Sequence, residues 1–163
     1  ADPNDVLQQI TYWLMGSLSG ANWNSVLTAL IPTVLGLAVL LLLRWRLQLL
    51  TIGDEEARAL GIHPARTRLA VILAATLLTA AAISSSGTIG WVGLVIPHMI
   101  RRLTGSETRY LLPGTALMGG IFLLVVDNVS RTLLPVELPI GILTAFIGAP
   151  FFLWMMIRRG GGR

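Results

Sequence analysis

Long apolar runs separated by short polar connections organise this chain. Five runs stand out: from about Val26 to Leu43, Leu69 to Ser86, Ile89 to Ile100, Leu111 to Leu134, and Ile140 to Ile157. A helix that crosses a bilayer needs about 20 predominantly apolar residues, within a range of about 17 to 25. Four runs meet that range and predict spanning helices. The third lies within "GTIGWVGLVIPHMIRR", Gly87 to Arg102, and is too short. It can sit at membrane depth only if protein or a water-filled path covers its ends. Pro97 removes a backbone donor, so it is expected to end or kink this segment and leave His98 near the inner interface.

Composition supports lipid as the solvent. Of 163 residues, 54% are hydrophobic and 12% charged, against about a quarter charged in soluble domains. The fold class expected is all-α: a polytopic membrane protein with about five transmembrane helices, one short and broken. Residues 1–163 are expected to form a single transmembrane domain. The absence of cysteine excludes disulfides and thiolate metal sites. All twelve basic residues are arginine, so the chain has no G-x-x-x-x-G-K-[ST] phosphate loop and is not itself a P-loop ATPase. The formal charge of +4 comes from arginines that punctuate the apolar runs, which points to membrane orientation and not to nucleic acid.

Placing Arg44, Arg46, Arg58, Arg66 and Arg68 on the cytoplasmic side, as the positive-inside rule asks, orients the rest. Five crossings then bring Arg101, Arg102, Arg109, Arg158, Arg159 and Arg163 to the same side and leave Arg131 alone outside. This agreement requires the short run to cross. Tyr12, Trp13 and Trp23 form an aromatic belt at the outer interface. The opening "ADPNDV", with neither methionine nor a signal-like core, is read as internal to a longer product.

"GDEEARALG", Gly53 to Gly61, occupies the longest polar connection, 51–64. Asp54 is placed to cap a short helix, Glu55 and Glu56 favour the positive end of its dipole, and Gly61 can close it in a left-handed turn. Asp54 and Arg58 are spaced to pair, and Ala57, Ala59 and Leu60 would lie on the surface. This is either an ordinary solvated loop helix or a knob for a groove on a cytoplasmic partner. Asp127 and Arg131 share a helical face and can pair in the same way. Glu137, before Pro139, is expected to stabilise the outer loop.

"GDEEARALG", "GTIGWVGLVIPHMIRRLTG" followed by "RYLLPGTAL", and "ELPIGILTAFIGAPFFLWMMIRR" together resemble the iron-chelate, haem and cobalamin uptake permeases, the membrane subunits of one class of bacterial ABC importers. The resemblance covers nearly the whole chain and matches the C-terminal half of a permease of about ten helices. It implies an importer subunit of the bacterial inner membrane, with no bond chemistry, cofactor or metal of its own. The cargo implied is a metal chelate, ferric siderophore first, haem or cobalamin next. The partners implied are two ABC ATPase subunits, a periplasmic binding protein, a second permease copy and membrane lipid. The ATPase-coupling role falls on Gly53, Asp54, Glu55, Glu56, Ala57, Arg58, Leu60 and Gly61. The translocation path or gate falls on Gly87, Gly90, Gly93, Pro97 and His98, with the glycines admitting close neighbours. Contact with the binding protein falls on Arg131. Trp13, Met15 and Gly16 border the path or pack against lipid and a neighbouring helix.

Two rivals belong to other classes. A passive channel or structural subunit would not need the acidic helix. An intramembrane hydrolase could pair Ser84, Ser85 or Ser86 with His98 as nucleophile and base, but Ser86 and His98 fall at opposite ends of the short crossing. His63 offers only one further imidazole for a metal, from a polar loop.

Overall fold

A computed structural model describes residues 3–133 and 138–160; Glu137 and Arg163 lie outside the described residues. The described chain is helical: α1 (Pro3–Met15), α2 (Trp23–Leu50), α3 (Asp54–Ala59), α4 (Pro64–Ser86), α5 (Val92–Thr104), α6 (Thr108–Leu133) and α7 (Ile140–Gly160). Helices α2, α4, α6 and α7 are long and apolar enough to cross a membrane. This is a multi-pass membrane protein. Its surface agrees: Leu42 is 82% exposed and Phe146 76% exposed, as expected where hydrocarbon and not water is the neighbour.

Local chemistry sets the helix ends. Asn22 caps α2 through its side chain, which accepts the Ser25 amide at 2.9 Å, while Ser25 Oγ accepts the Asn22 amide at 2.9 Å, a capping box. Pro64 opens α4 at the position where a missing N–H costs nothing. α2 and α4 extend to Leu50 and back to Pro64, beyond the apolar runs. Hydropathy marks the lipid layer, whereas a helix continues into the interface as long as its backbone bonds stay closed.

The chain divides into two compact units. One contains α1, residues 86–99, the second part of α6, and α7. Its buried residues include Ile96, Val126, Ile140 and Thr144. The other contains α2, α3, most of α4, and 100–116, with Leu49, Ala57, Ala74 and Ile100 buried. There Gly36 of α2 faces Leu78 and Ala74 of α4, and an added Cβ would lie 2.7 Å from Leu78 Cγ.

One expectation is narrowed and one is corrected. Of the two outcomes expected at Pro97, an end or a kink, the end is excluded: α5 runs through Pro97 to Thr104, and His98 stands mid-helix. The ring at Pro97 faces the carbonyl of Gly93, one turn earlier, and helices in membranes tolerate such a gap when neighbours serve the freed groups. The interruption instead precedes α5, at Gly87 to Trp91, where Gly87 has φ +68° and Trp91 φ +69°. The correction is α1, a helix where sequence indicated only an interfacial belt. Asp5, Gln8 and Gln9 break its apolar run, so hydropathy alone does not reveal it.

Within one unit, Gln48, near the end of α2, accepts both the amide and the hydroxyl of Thr108 at 2.8 Å, at the start of α6, and Arg68 of α4 is bound to Asp54. Within the other, Arg131 reaches Leu18 and the Ser86 carbonyl accepts the Ser17 amide at 2.9 Å. The 13 residues of α5 rise about 20 Å.

Candidate functional site

The polar connection forms one rigid corner. Asp54 is the first residue of α3 and not its cap: Gly53 occupies that position, with φ +142° and no side-chain cap bond. The Asp54 carboxylate instead takes a bidentate grip from Arg68 of α4, with Nη2 at 2.6 Å and Nη1 at 2.9 Å. The expected Asp54–Arg58 pair is thus replaced by one that joins two helices. The Arg68 hydrogen bond and its charge hold the Asp54 carboxyl below the usual carboxylate range, with Arg58 adding a smaller pull.

α3 closes as a full Schellman motif. Gly61, at φ +80°, donates to the Arg58 carbonyl at 2.9 Å, and Ile62 donates to Ala57 at 3.0 Å. Ala57, expected on the surface, is fully buried, because the helix lies on its Ala57 side; Leu60 remains 61% exposed. Glu55, Glu56, Arg58, Ala59 and Leu60 are exposed. They present an acidic first turn and an apolar last turn.

Residues 86–88 and the end of α1 meet backbone to backbone. Thr88 donates its hydroxyl to the Leu14 carbonyl at 2.6 Å and its amide to Trp13 at 3.3 Å; Gly141 donates to Gly16 at 3.3 Å. The non-helical segment before α5 therefore has its polar groups served by protein, as membrane depth requires. An added Cβ at Gly87 would overlap the Trp13 carbonyl oxygen, and one at Gly141 the Met15 carbonyl oxygen. Among the described residues, the close approach expected of three glycines is present at Gly87. Around Gly90 and Gly93 no atom among the described residues lies within 4 Å of such a Cβ. Gly90 instead lines a cavity of about 620 Å³, walled by Leu14, Met15, Thr88, Trp91 and Phe146 among others and without a charged side chain.

Trp91 adopts the left-handed conformation despite its side chain, at a cost of about 1–2 kcal/mol. Its ring sits edge-on to Phe152 at 5.9 Å, and Gly148 has no Cβ to obstruct it. His98 stands edge-on to Phe151 at 6.1 Å and is half-buried. The hydroxyls of Ser84 and Ser85 each donate to the Ala81 carbonyl, and that of Ser86 to Gly87. Among the described residues, no three of His, Asp and Glu converge as a metal site would need.

Arg131 pairs with Asp127 at 3.0 Å, as its spacing predicts, and Nη2 also reaches the Leu18 carbonyl at 3.5 Å. The side chains are 44% and 21% exposed, so the ion pair itself is worth about 0.5 kcal/mol or less. Sequence reasoning missed Arg68, Thr88, Trp91 and Gly141. The glycines at 16, 87 and 141 are the only legible trace of the backbone junction, and nothing local to Asp54 points to a partner fourteen residues on.

The sequence profile of the FecCD transport family matches residues 2–158. Over 163 aligned residues the chain is 46% identical to the molybdate import system permease protein MolB of Haemophilus influenzae, covering 99% of this chain and 48% of that protein. It is 44% identical to the hemin transport system permease protein HmuU of Yersinia pestis, covering 94% of this chain and 46% of that one. A solved ABC transporter of metal-chelate type, in an inward-facing conformation, superposes with a TM-score of 0.89 at 45% identity, over 97% of this chain and 51% of the other. The chain thus spans about half the length of the relatives it matches. The chain belongs to the FecCD transport family.

Proposed function

We propose that this chain is the C-terminal half of the permease of a bacterial ABC importer in the inner membrane, which moves a metal chelate inward without bond chemistry of its own. A separate ATPase closes on ATP and pushes on α3, and that push becomes alternate opening of a path between two permease copies. A periplasmic binding protein delivers the cargo, and Arg131 contacts it. Gly87, Gly90, Gly93, Pro97 and His98 lie along or beside the path. Ferric siderophore is the cargo assigned first; haem and cobalamin are the alternatives.

The observation that carries this reading is the α3 corner. A helix of six residues is far too short to be stable alone. Here it is fixed at two points: by the Schellman turn at its end and by Asp54 on Arg68. A force applied to Glu55, Glu56 or Leu60 is therefore delivered to α4 and not absorbed in a loop. A passive channel has no use for that connection. Glu55→Arg with Glu56→Arg should leave ATP hydrolysis by the reconstituted importer in place and reduce uptake into vesicles at least tenfold. Unchanged uptake would refute the coupling role. The ligand retained by the partner binding protein decides the cargo.

A further inference from the structure

Gln48 and Thr108 stand 60 residues apart in sequence and meet within the unit that holds α2 and α3. Thr108 opens α6, so its amide is among the four that a helix cannot satisfy internally. Gln48 Oε1 accepts that amide at 2.8 Å and the Thr108 hydroxyl at 2.8 Å. An amide oxygen has two lone pairs, and both are used. Only an oxygen can face a backbone N–H, so the side-chain amide has one orientation here. Two donors of one residue on a single acceptor fix direction as well as distance. Both partners are half-buried, which strengthens such bonds relative to those in water.

The backbone of the same glutamine holds the connection to α3. Thr51, which caps the end of α2, donates its amide to the Gln48 carbonyl at 3.1 Å and its hydroxyl at 2.6 Å. Only Ile52 and Gly53 then separate it from Asp54, the first residue of α3. A displacement of α3 therefore has two routes out. One runs through Asp54 and Arg68 into α4; the other runs back through Thr51 to Gln48 and from its side chain into α6. A cap for α6 alone could come from a nearby residue, as Asn22 supplies one for α2. Here the acceptor comes from the one residue whose carbonyl also grips Thr51. We infer that Gln48 is a positioning residue for transport, the link by which movement of the α3 corner reaches α6. The inference rests on the coupling role proposed for α3, and it adds a second helix to what that corner drives.

Amide hydrogen exchange in the assembled importer with its ATPase, with and without ATP, tests it. In the parent, ATP should change exchange both across residues 54–60 and in the first turn of α6, residues 108–112. Gln48→Leu removes the acceptor at similar volume. Loss of an ordinary hydrogen bond shifts an equilibrium about fivefold, so exchange at 108–112 without ATP should accelerate about fivefold. The ATP response there should vanish, while that of 54–60 persists. A contact that only stabilised the fold would raise the exchange rate yet leave the ATP response in place. Gln48→Glu, which keeps oxygens for both donors, should restore the response. Thr108→Val, which loses the hydroxyl and keeps the amide, should weaken the response without abolishing it, and it serves as the second variant if Gln48→Leu does not fold. An ATP response at 108–112 that survives in Gln48→Leu, or that is missing from the parent while 54–60 responds, would overturn the link and leave the coupling role of α3 standing. Failure of Gln48→Glu to restore the response would also overturn it. No ATP response at 54–60 in the parent would overturn the coupling role, and the link with it.

Discussion

Gly141→Ala is the sharpest probe of the junction between α1, the segment before α5, and α7. The new methyl would overlap the Met15 carbonyl oxygen and lie 3.3 Å from that of Thr88. Both obstacles are backbone and cannot swing aside as a side chain can. Overpacking of this kind costs about 1–3 kcal/mol. Relief by moving α7 away would break the bond from Gly141 to Gly16, worth about 1 kcal/mol. Alanine's better helix propensity returns up to about 1 kcal/mol. The net expectation is a loss of about 1–3 kcal/mol. For a chain of this length that is a fall of about 2–12 °C in the unfolding midpoint in detergent. Gly93→Ala is the matched control: it sits within α5 with open space around the new Cβ, so the propensity gain is expected alone, up to about 1 kcal/mol of stabilisation. Thermal unfolding of both variants followed by circular dichroism separates the two. A Gly141→Ala protein as stable as the parent would refute the reasoning.

Arg131→Glu should weaken binding-protein capture at least tenfold, and a charge swap on the partner should restore it; unaltered capture by the single variant counts against that contact. The parent sequence has no cysteine, so single cysteines at His63 and Ser19 report sidedness cleanly. They should react with an impermeant maleimide from opposite membrane faces, and same-face labelling would break the five-crossing arrangement. Asp54 gives a pH test. Its carboxyl is held below the ordinary value of 3.8, so its contribution is fully present above that value and fades as pH falls through the lowered one. Amide exchange across residues 54–60 should therefore accelerate as pH drops below about 4, after correction for intrinsic rates. Asp54→Asn should exchange fast throughout; a parent profile identical to the variant's would exclude the linkage.

The spanning helices were legible because lipid imposes a one-dimensional rule: about 20 apolar residues or no crossing. Gly61 announced its own turn because little else tolerates that conformation. What escaped was decided by tertiary contact. Pro97 reads as a stop or a kink, and the helix continues past it. Asp54 reads as a cap and as a partner for Arg58, yet Arg68 claims it, since one turn of α4 brings a bidentate donor within reach. Gly90 and Gly93 look like Gly87 in the sequence, and only the carbonyl of Trp13 distinguishes them. α1 escaped because Asp5, Gln8 and Gln9 interrupt its apolar run.

Prolines sit inside four of the long or functional helices: Pro32 in α2, Pro97 in α5, Pro113 in α6 and Pro150 in α7. Each deletes one rung of the backbone ladder, between itself and the carbonyl four residues earlier. Bending at that level breaks no bond, whereas bending anywhere else along the same rod would. The compliance of these helices is therefore allotted to Thr28, Gly93, Arg109 and Phe146, the residues whose carbonyls lost their donor. α4, whose one proline opens its first turn, is left as the stiff strut among articulated ones.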